Sequence, residues 1–282
     1  MAAAARPATP DDLDAVLALE RAWNERVYGD PRTTREMLAA HWPDAGHWVA
    51  YGVAGGLEAY GSVDSGGGFE VWIEPGVAID PLGRELLSAI AAHHPGRLET
   101  VVPAWARDLC ALLERNGFSL LGEVLEMAAE LRPPLPEPSW PAGVRRRPFD
   151  AERDAVQVHA CLVEALAGSD ERVAPYDEWR PWLLGDPSYD PELVFVAEQD
   201  GAVAGIAQCW REGYVKDLAV RPAFRGRGLG EALLRMVFAE FARRWVAQVR
   251  LKVDADNPTG AVRLYRRVGM DELRRYAIYA RA

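Results

Sequence analysis

Apolar and polar positions along this chain follow two periods, and their succession is written twice. Leu233, Leu234, Val237, Phe238, Phe241 and Trp245 recur at helical spacing, which predicts a helix over 229–245. Residues 248–253 alternate and predict a half-buried strand, and Pro258 suits the first turn of a helix that follows. Upstream, Asp200-Gly201 sits between the apolar runs 193–199 and 202–210, a strong local signal for a hairpin.

The same series appears earlier in the chain. Arg6-Pro-Ala-Thr-Pro-Asp-Asp-Leu-Asp-Ala-Val16 and Arg147-Pro-Phe-Asp-Ala-Glu-Arg-Asp-Ala-Val156 each open a helix. Runs 47–52 and 57–63 around Gly55-Gly56 make the earlier hairpin. Val71-Trp-Ile-Glu-Pro75, then Gly83, Leu86 and Leu87, matches Leu218-Ala-Val-Arg-Pro222, then Gly230, Leu233 and Leu234, at a constant offset of 147. Leu112-Leu-Glu-Arg-Asn-Gly-Phe118 matches Leu264-Tyr-Arg-Arg-Val-Gly-Met270 at an offset of 152. Between the copies runs the semi-rigid, proline-rich stretch Arg132-Pro-Pro-Leu-Pro-Glu-Pro-Ser-Trp-Pro141. The expectation is two copies of one α+β unit, 1–132 and 144–282, joined by a linker over 133–143. Each reads helix, short helix, hairpin, strand, loop, helix, strand, helix, strand.

Composition narrows the function classes. The 282 residues can build two cores, and 49% hydrophobic with 26% charged residues is ordinary for globular chains. A net charge of −10 argues against a nucleic-acid surface and is compatible with a cationic substrate. No apolar run reaches the roughly 18–20 residues of a membrane span, and Arg6, Pro7, Pro10, Asp11 and Asp12 precede any apolar stretch, unlike a secretory signal. Cys110, Cys161 and Cys209 stand alone and the five histidines form no metal-like cluster, so a cytoplasmic protein without a metal is expected. Of 32 basic residues only Lys216 and Lys252 are lysines.

The sharpest chemistry is Val220-Arg-Pro-Ala-Phe-Arg-Gly-Arg-Gly-Leu-Gly230, between a strand and a helix. Gly226, Gly228 and Gly230 let backbone amides approach a ligand, the helix start adds partial positive charge, and Arg221, Arg225 and Arg227 lie nearby. Together these suit a diphosphate. The loop has no GK[ST], its evenly spaced glycines miss the G-x-G-x-x-G fingerprint, and too little chain follows for a dinucleotide fold.

Arg225-Gly-Arg-Gly-Leu-Gly230 resembles the R/Q-x-x-G-x-G/A loop of the GCN5-related N-acetyltransferases, the GNAT family. Asn257-Pro-Thr-Gly-Ala-Val-Arg-Leu-Tyr-Arg-Arg-Val-Gly-Met270 resembles its second landmark, with Met270 where Phe is usual and one extra residue between Asn257 and Ala261. The tandem plan is similar to that of mycothiol synthases, whose second unit is the active one. The resemblance implies a mixed central sheet flanked by helices in each unit, and acetyl-CoA as co-substrate. It places the diphosphate on Arg225, Gly226, Arg227, Gly228, Leu229 and Gly230, and the pantetheine arm along Leu218, Ala219 and Val220. Asn257, Ala261 and Tyr265 complete the cofactor contacts, with an oxyanion donor near Val220. The expected acceptor is a small-molecule or peptide amine, and the expected working state a monomer built as an internal pseudo-dimer, or a weak homodimer.

Acetyl transfer to an amine needs a base and a proton for the leaving thiolate. The resemblance implies that Tyr265 supplies the proton, although Ala261, Leu264, Tyr265 and Val268 also form an apolar stripe that core packing explains. For the base, Asp217 on the central strand is the best-placed candidate, with Glu212, which precedes that strand, or a water relay as alternatives. The acidic, aromatic stretch of Asp170, Glu171, Tyr176, Asp177, Glu178 and Trp179 lies where the family places its acceptor. In the first copy Ala78, Ile79 and Pro81 stand for Arg225, Gly226 and Gly228, and Leu113 for Tyr265, so that copy reads as a scaffold or lid. A non-catalytic acyl-CoA-binding or sensing module shares the loop and differs at Tyr265 and in the need for an acceptor pocket.

Overall fold

The computed structural model describes residues 5–29, 33–42, 45–167 and 172–282, in two compact units. The first takes the chain to Val124 and again from Arg275 to Ala282; the second is Leu125–Arg274. Both bounds fall inside strands, Ser119–Glu130 and Asp271–Arg281, rather than in the proline-rich stretch.

The first unit contains β1 (Arg6–Pro7), α1 (Leu13–Tyr28), α2 (Arg35–His41), β2 (Ala45–Tyr51), β3 (Leu57–Asp64) and β4 (Phe69–Ile73). It continues with α3 (Leu82–His93), β5 (Leu98–Pro103), α4 (Arg107–Arg115) and the start of β6 (Ser119–Glu130). Its sheet runs β1-β2-β3-β4, and the last strand of the chain, β12 (Asp271–Arg281), pairs antiparallel with β5. Leu86, Leu87, Ile90, Leu112 and Leu113 fill one face with Ala277 and Tyr279, and Leu13, Val16, Val49 and Tyr60 fill the other.

The second unit contains β7 (Arg145–Pro148), α5 (Ala151–Leu166), α6 (Tyr176–Gly185), β8 (Val194–Gln199), β9 (Ala202–Trp210) and β10 (Tyr214–Val220). It closes with α7 (Leu229–Arg243), β11 (Gln248–Asp254) and α8 (Ala261–Arg267). The strand order is β6-β11-β10-β9-β8-β7. Helix α5 starts where Asp150 accepts from the amides of Glu152 and Arg153, both at 3.0 Å, and it buries Ala155, Val158, Leu162 and Ala165. Helix α7 buries Leu233, Leu234, Val237, Phe238 and Phe241 on the opposite face of the sheet. The β8–β9 hairpin turns through Asp200 (φ 53°) and Gly201 (φ 80°), as its sequence requires.

Two local expectations fail for identifiable reasons. The helix predicted to reach Trp245 stops at Arg243, where the Val246 amide donates to Phe241 O and the Trp245 amide to Ala242 O. Those two bonds are a Schellman cap, with Trp245 in the left-handed position (φ 61°) and 94% exposed. Pro258 lies in a turn ahead of α8, whose N-cap is Gly260. There Asn257 Oδ1 accepts from the Thr259 amide and hydroxyl, a side-chain turn that competes with helix.

A buried charge cluster pins β7 to the start of α5. Asp154 has no exposed side-chain surface and accepts from Arg147, Arg153 and the Asp150 amide. Burial pushes its carboxyl up, but the bonds from Arg153 and Arg147 together hold it well below the usual carboxylate range. Its contribution to stability is therefore present above pH ~3.9 and is lost as pH falls through the lower folded value. Asp154→Ala leaves Arg147 paired only with Glu198 and should cost roughly 3 kcal/mol in urea unfolding at neutral pH. A cost under ~1 kcal/mol would mean that the cluster is a solvated pair.

Candidate active site

Strands β10 and β11 are parallel and meet at one register pair, Tyr214↔Arg250, with the Arg250 amide on Gly213 O at 2.8 Å. Beyond it they splay. The gap is a cleft of ≈ 410 Å³, walled by β10, β11, α8, the C-terminal end of α5 and the N-terminus of α7. Asp217, Leu218, Ala219, Val220, Arg225, Gly226, Gly228, Leu229, Gly230, Asn257, Ala261 and Tyr265 all line it. Arg227 is not on its wall; its guanidinium donates to Ala142 O at 3.2 Å and lies over the Phe224 ring.

The three loop glycines do different work. Gly226 (φ 73°) and Gly228 (φ 86°) occupy left-handed backbone, and a Cβ at either would meet open space. At Gly230 a Cβ would lie 3.0 Å from Leu264 Cδ2, so this glycine admits α8 against α7. Gly228 is the N-cap of α7, and the first four amides of a helix have no acceptor within it. The cradle is thus amide-lined, open and at the positive end of a helix, which fits a diphosphate. The arginines beside the loop also have partners within the protein. Arg225 donates to Val220 O (3.1 Å) and Ala165 O (2.7 Å), bracing the loop against the end of α5, and Arg221 Nε lies 3.5 Å from Glu164.

A β-bulge between Val215 and Asp217 leaves Lys216 opposite no β9 residue and sets Asp217 opposite Gln208. Both Lys216 and Asp217 reach the cleft. Burial pushes the Asp217 carboxyl above the usual carboxylate range, and the Lys216 ammonium, 3.4 Å from Oδ1, pulls it partly back. The same ammonium lies 5.7 Å above the Trp182 ring, which packs edge-on against Trp210. Tyr265 is 7% exposed, belonging to the core cluster and to the cleft wall at once.

Sequence reading missed Gln208. It is fully buried, and neither amide atom reaches a partner among the described residues. The available signal was a lone carboxamide in the apolar run 203–210. Glu212 lies in the β9–β10 turn, off the cleft wall, and Tyr176, Asp177, Glu178 and Trp179 belong to α6. Trp179 is buried against His159 and Tyr176, so it serves the core; Asp170 and Glu171 lie outside the described residues. No group of three His, Cys, Asp or Glu side chains among the described residues is arranged to hold a metal, and no described helix is long and apolar enough to cross a membrane.

The first unit keeps the frame without the cradle. Pro81, which has no amide N–H, caps α3 where Gly228 caps α7, and Leu113, with no exposed surface, holds the place of Tyr265. The packing glycine survives: a Cβ at Gly83 would meet Leu112 as one at Gly230 meets Leu264. Glu70 stands opposite Ser62 as Asp217 stands opposite Gln208.

Residues 157–270, which contain the whole cleft wall, match the Acetyltransferase (GNAT) family. A mycothiol acetyltransferase of Thermobispora bispora is 31% identical, the match covering 93% of each chain. Among solved structures, a GCN5-related N-acetyltransferase from Sphaerobacter thermophilus superposes with a TM-score of 0.81 at 26% identity, covering 98% of this chain and 94% of that one. A tandem GNAT protein from the clavulanic acid biosynthesis pathway gives 0.70 at 17% identity, covering 98% and 97%, and shows the same fold. With kinship running over nearly its full length, the chain belongs to the GCN5-related N-acetyltransferases, as an acetyl-CoA-dependent acyltransferase of two GNAT units in tandem.

Proposed function

We propose that the second unit transfers the acetyl group of acetyl-CoA to a primary amine of a small molecule or peptide, and that the first unit is catalytically silent. One observation carries the reading: a single cleft combines a splayed strand edge, an amide-lined helix start and two side chains able to handle protons. The co-substrate brings an acyl group already activated as a thioester. Amides from Gly226 to Gly230 hold its diphosphate, and the free edge of β10 at Leu218, Ala219 and Val220 holds its arm as an added strand. Asn257 and Ala261 flank that arm.

An alkyl ammonium with a pKa near ~10.4 must lose a proton before it can attack. Asp217 Oδ1 takes that proton, and its raised pKa shortens the uphill transfer. The Tyr265 hydroxyl hydrogen-bonds the departing sulfur; full transfer from a phenol near ~10 to a thiolate near ~8.5 is uphill by about 2 kcal/mol, so solvent completes the proton balance. The relative's name makes a mycothiol-type acceptor one member of the substrate class. The working state in this reading is a cytoplasmic monomer or weak homodimer.

Mass spectrometry of an amine library incubated with the chain and acetyl-CoA tests the reaction directly. In the same assay Tyr265→Phe should lower kcat about 10²-fold with CoA affinity unchanged. Unchanged turnover with a lowered melting temperature would assign Tyr265 to packing alone.

A further inference from the structure

The chain has two lysines in 282 residues, and both line the acyl-donor cleft, Lys216 on β10 and Lys252 on β11. Their placements differ. Lys216 is the bulge residue, its ammonium 3.4 Å from Asp217 Oδ1 and 5.7 Å over the Trp182 ring. A primary alkyl ammonium thus already sits against a carboxylate, the proton acceptor an incoming amine needs, and is held there by an aromatic face.

We propose that Lys216 is an acetylation site of the chain itself, modified by its own cleft. This rests on the proposed function of the second unit. Asp217 takes one proton from the Lys216 ammonium and passes it to solvent. The freed Nζ attacks the carbonyl carbon of the thioester, an amide C–N bond forms, and the C–S bond breaks. The second nitrogen proton leaves, the CoA sulfur finishes as a thiol, and no electrons change hands. Lys216 ends as a neutral amide and Asp217 loses its paired cation. A side chain that has been rival and mimic of the acceptor is thereby retired from the carboxylate.

The test incubates the full chain with acetyl-CoA and no added amine, removes the nucleotide, and reads intact and peptide masses of the unloaded protein. The expected result is one acetyl group per chain, carried on the peptide that holds Lys216 and lost in Lys216→Arg. Its rate should be independent of protein concentration and fall at least ~10-fold in Asp217→Asn. Acetylation that persists in Lys216→Arg, or proceeds equally in Gly228→Asp, marks spontaneous chemistry and overturns the proposal. No acetyl gain in a chain that binds CoA by calorimetry overturns the proposal and leaves the proposed function standing. A chain that binds no CoA overturns both.

Discussion

Gly228→Asp is expected to remove CoA binding while leaving the fold in place. The position has room, because a Cβ there meets nothing within 4 Å, and its φ of 86° is one that Asp and Asn adopt more readily than other side chains. The cost is on the ligand. A carboxylate at the N-cap of α7 fills the open cradle and sets a negative charge against a diphosphate. Two charge-assisted amide bonds lost at ~1.5–3 kcal/mol each weaken binding at least ~100-fold before repulsion is counted. Gly228→Asn is the companion variant. It has the same shape without the charge and should bind between the two. Calorimetry gives the affinities and circular dichroism the fold; wild-type affinity in a folded Gly228→Asp chain would remove the diphosphate assignment.

Asp217→Asn should lower kcat/KM for the acceptor by about 10²–10⁴-fold, the range a positioned proton acceptor contributes. The variant keeps the size of the side chain and loses its basicity, so CoA affinity should stay at the wild-type value. The pH profile carries the sign. Wild-type activity should rise as Asp217 deprotonates, and burial sets that limb above the usual carboxylate range. In Asp217→Asn this limb should vanish and leave only the rise from the amine itself. A variant with full activity and the same acid limb would shift the proton transfer to a water relay.

Much of this was legible because it is local. Glycine spacing at 226, 228 and 230, the Asp200-Gly201 turn and the helical stripes of α5 and α7 depend on residues a few positions apart. The repeat legibly duplicated them, down to the substitution of Pro81 for a cradle glycine. What stayed hidden depends on register and tertiary neighbours. That Gly230 serves helix packing while Gly226 and Gly228 face open space follows from where Leu264 lands. Arg225 was legible as a cation beside the loop, but its second task of bracing that loop was not, because it depends on the end of α5 presenting Ala165 O to it. The bulge at Lys216 and the burial of Gln208 opposite Asp217 follow from β9–β10 pairing, which no spacing within β10 reveals. The pairing of β12 with β5 is likewise long-range and leaves no local trace.

The central claim is that two similar units share one chain and only the second holds the acyl donor. Calorimetric titration of the full chain with CoA tests it most directly. The account predicts one site per chain, because Pro81 and Ile79 deny the first unit the amides and open backbone that Gly228 and Gly226 give the second. Two equivalent sites, or a single site that survives Gly228→Asp, would contradict it.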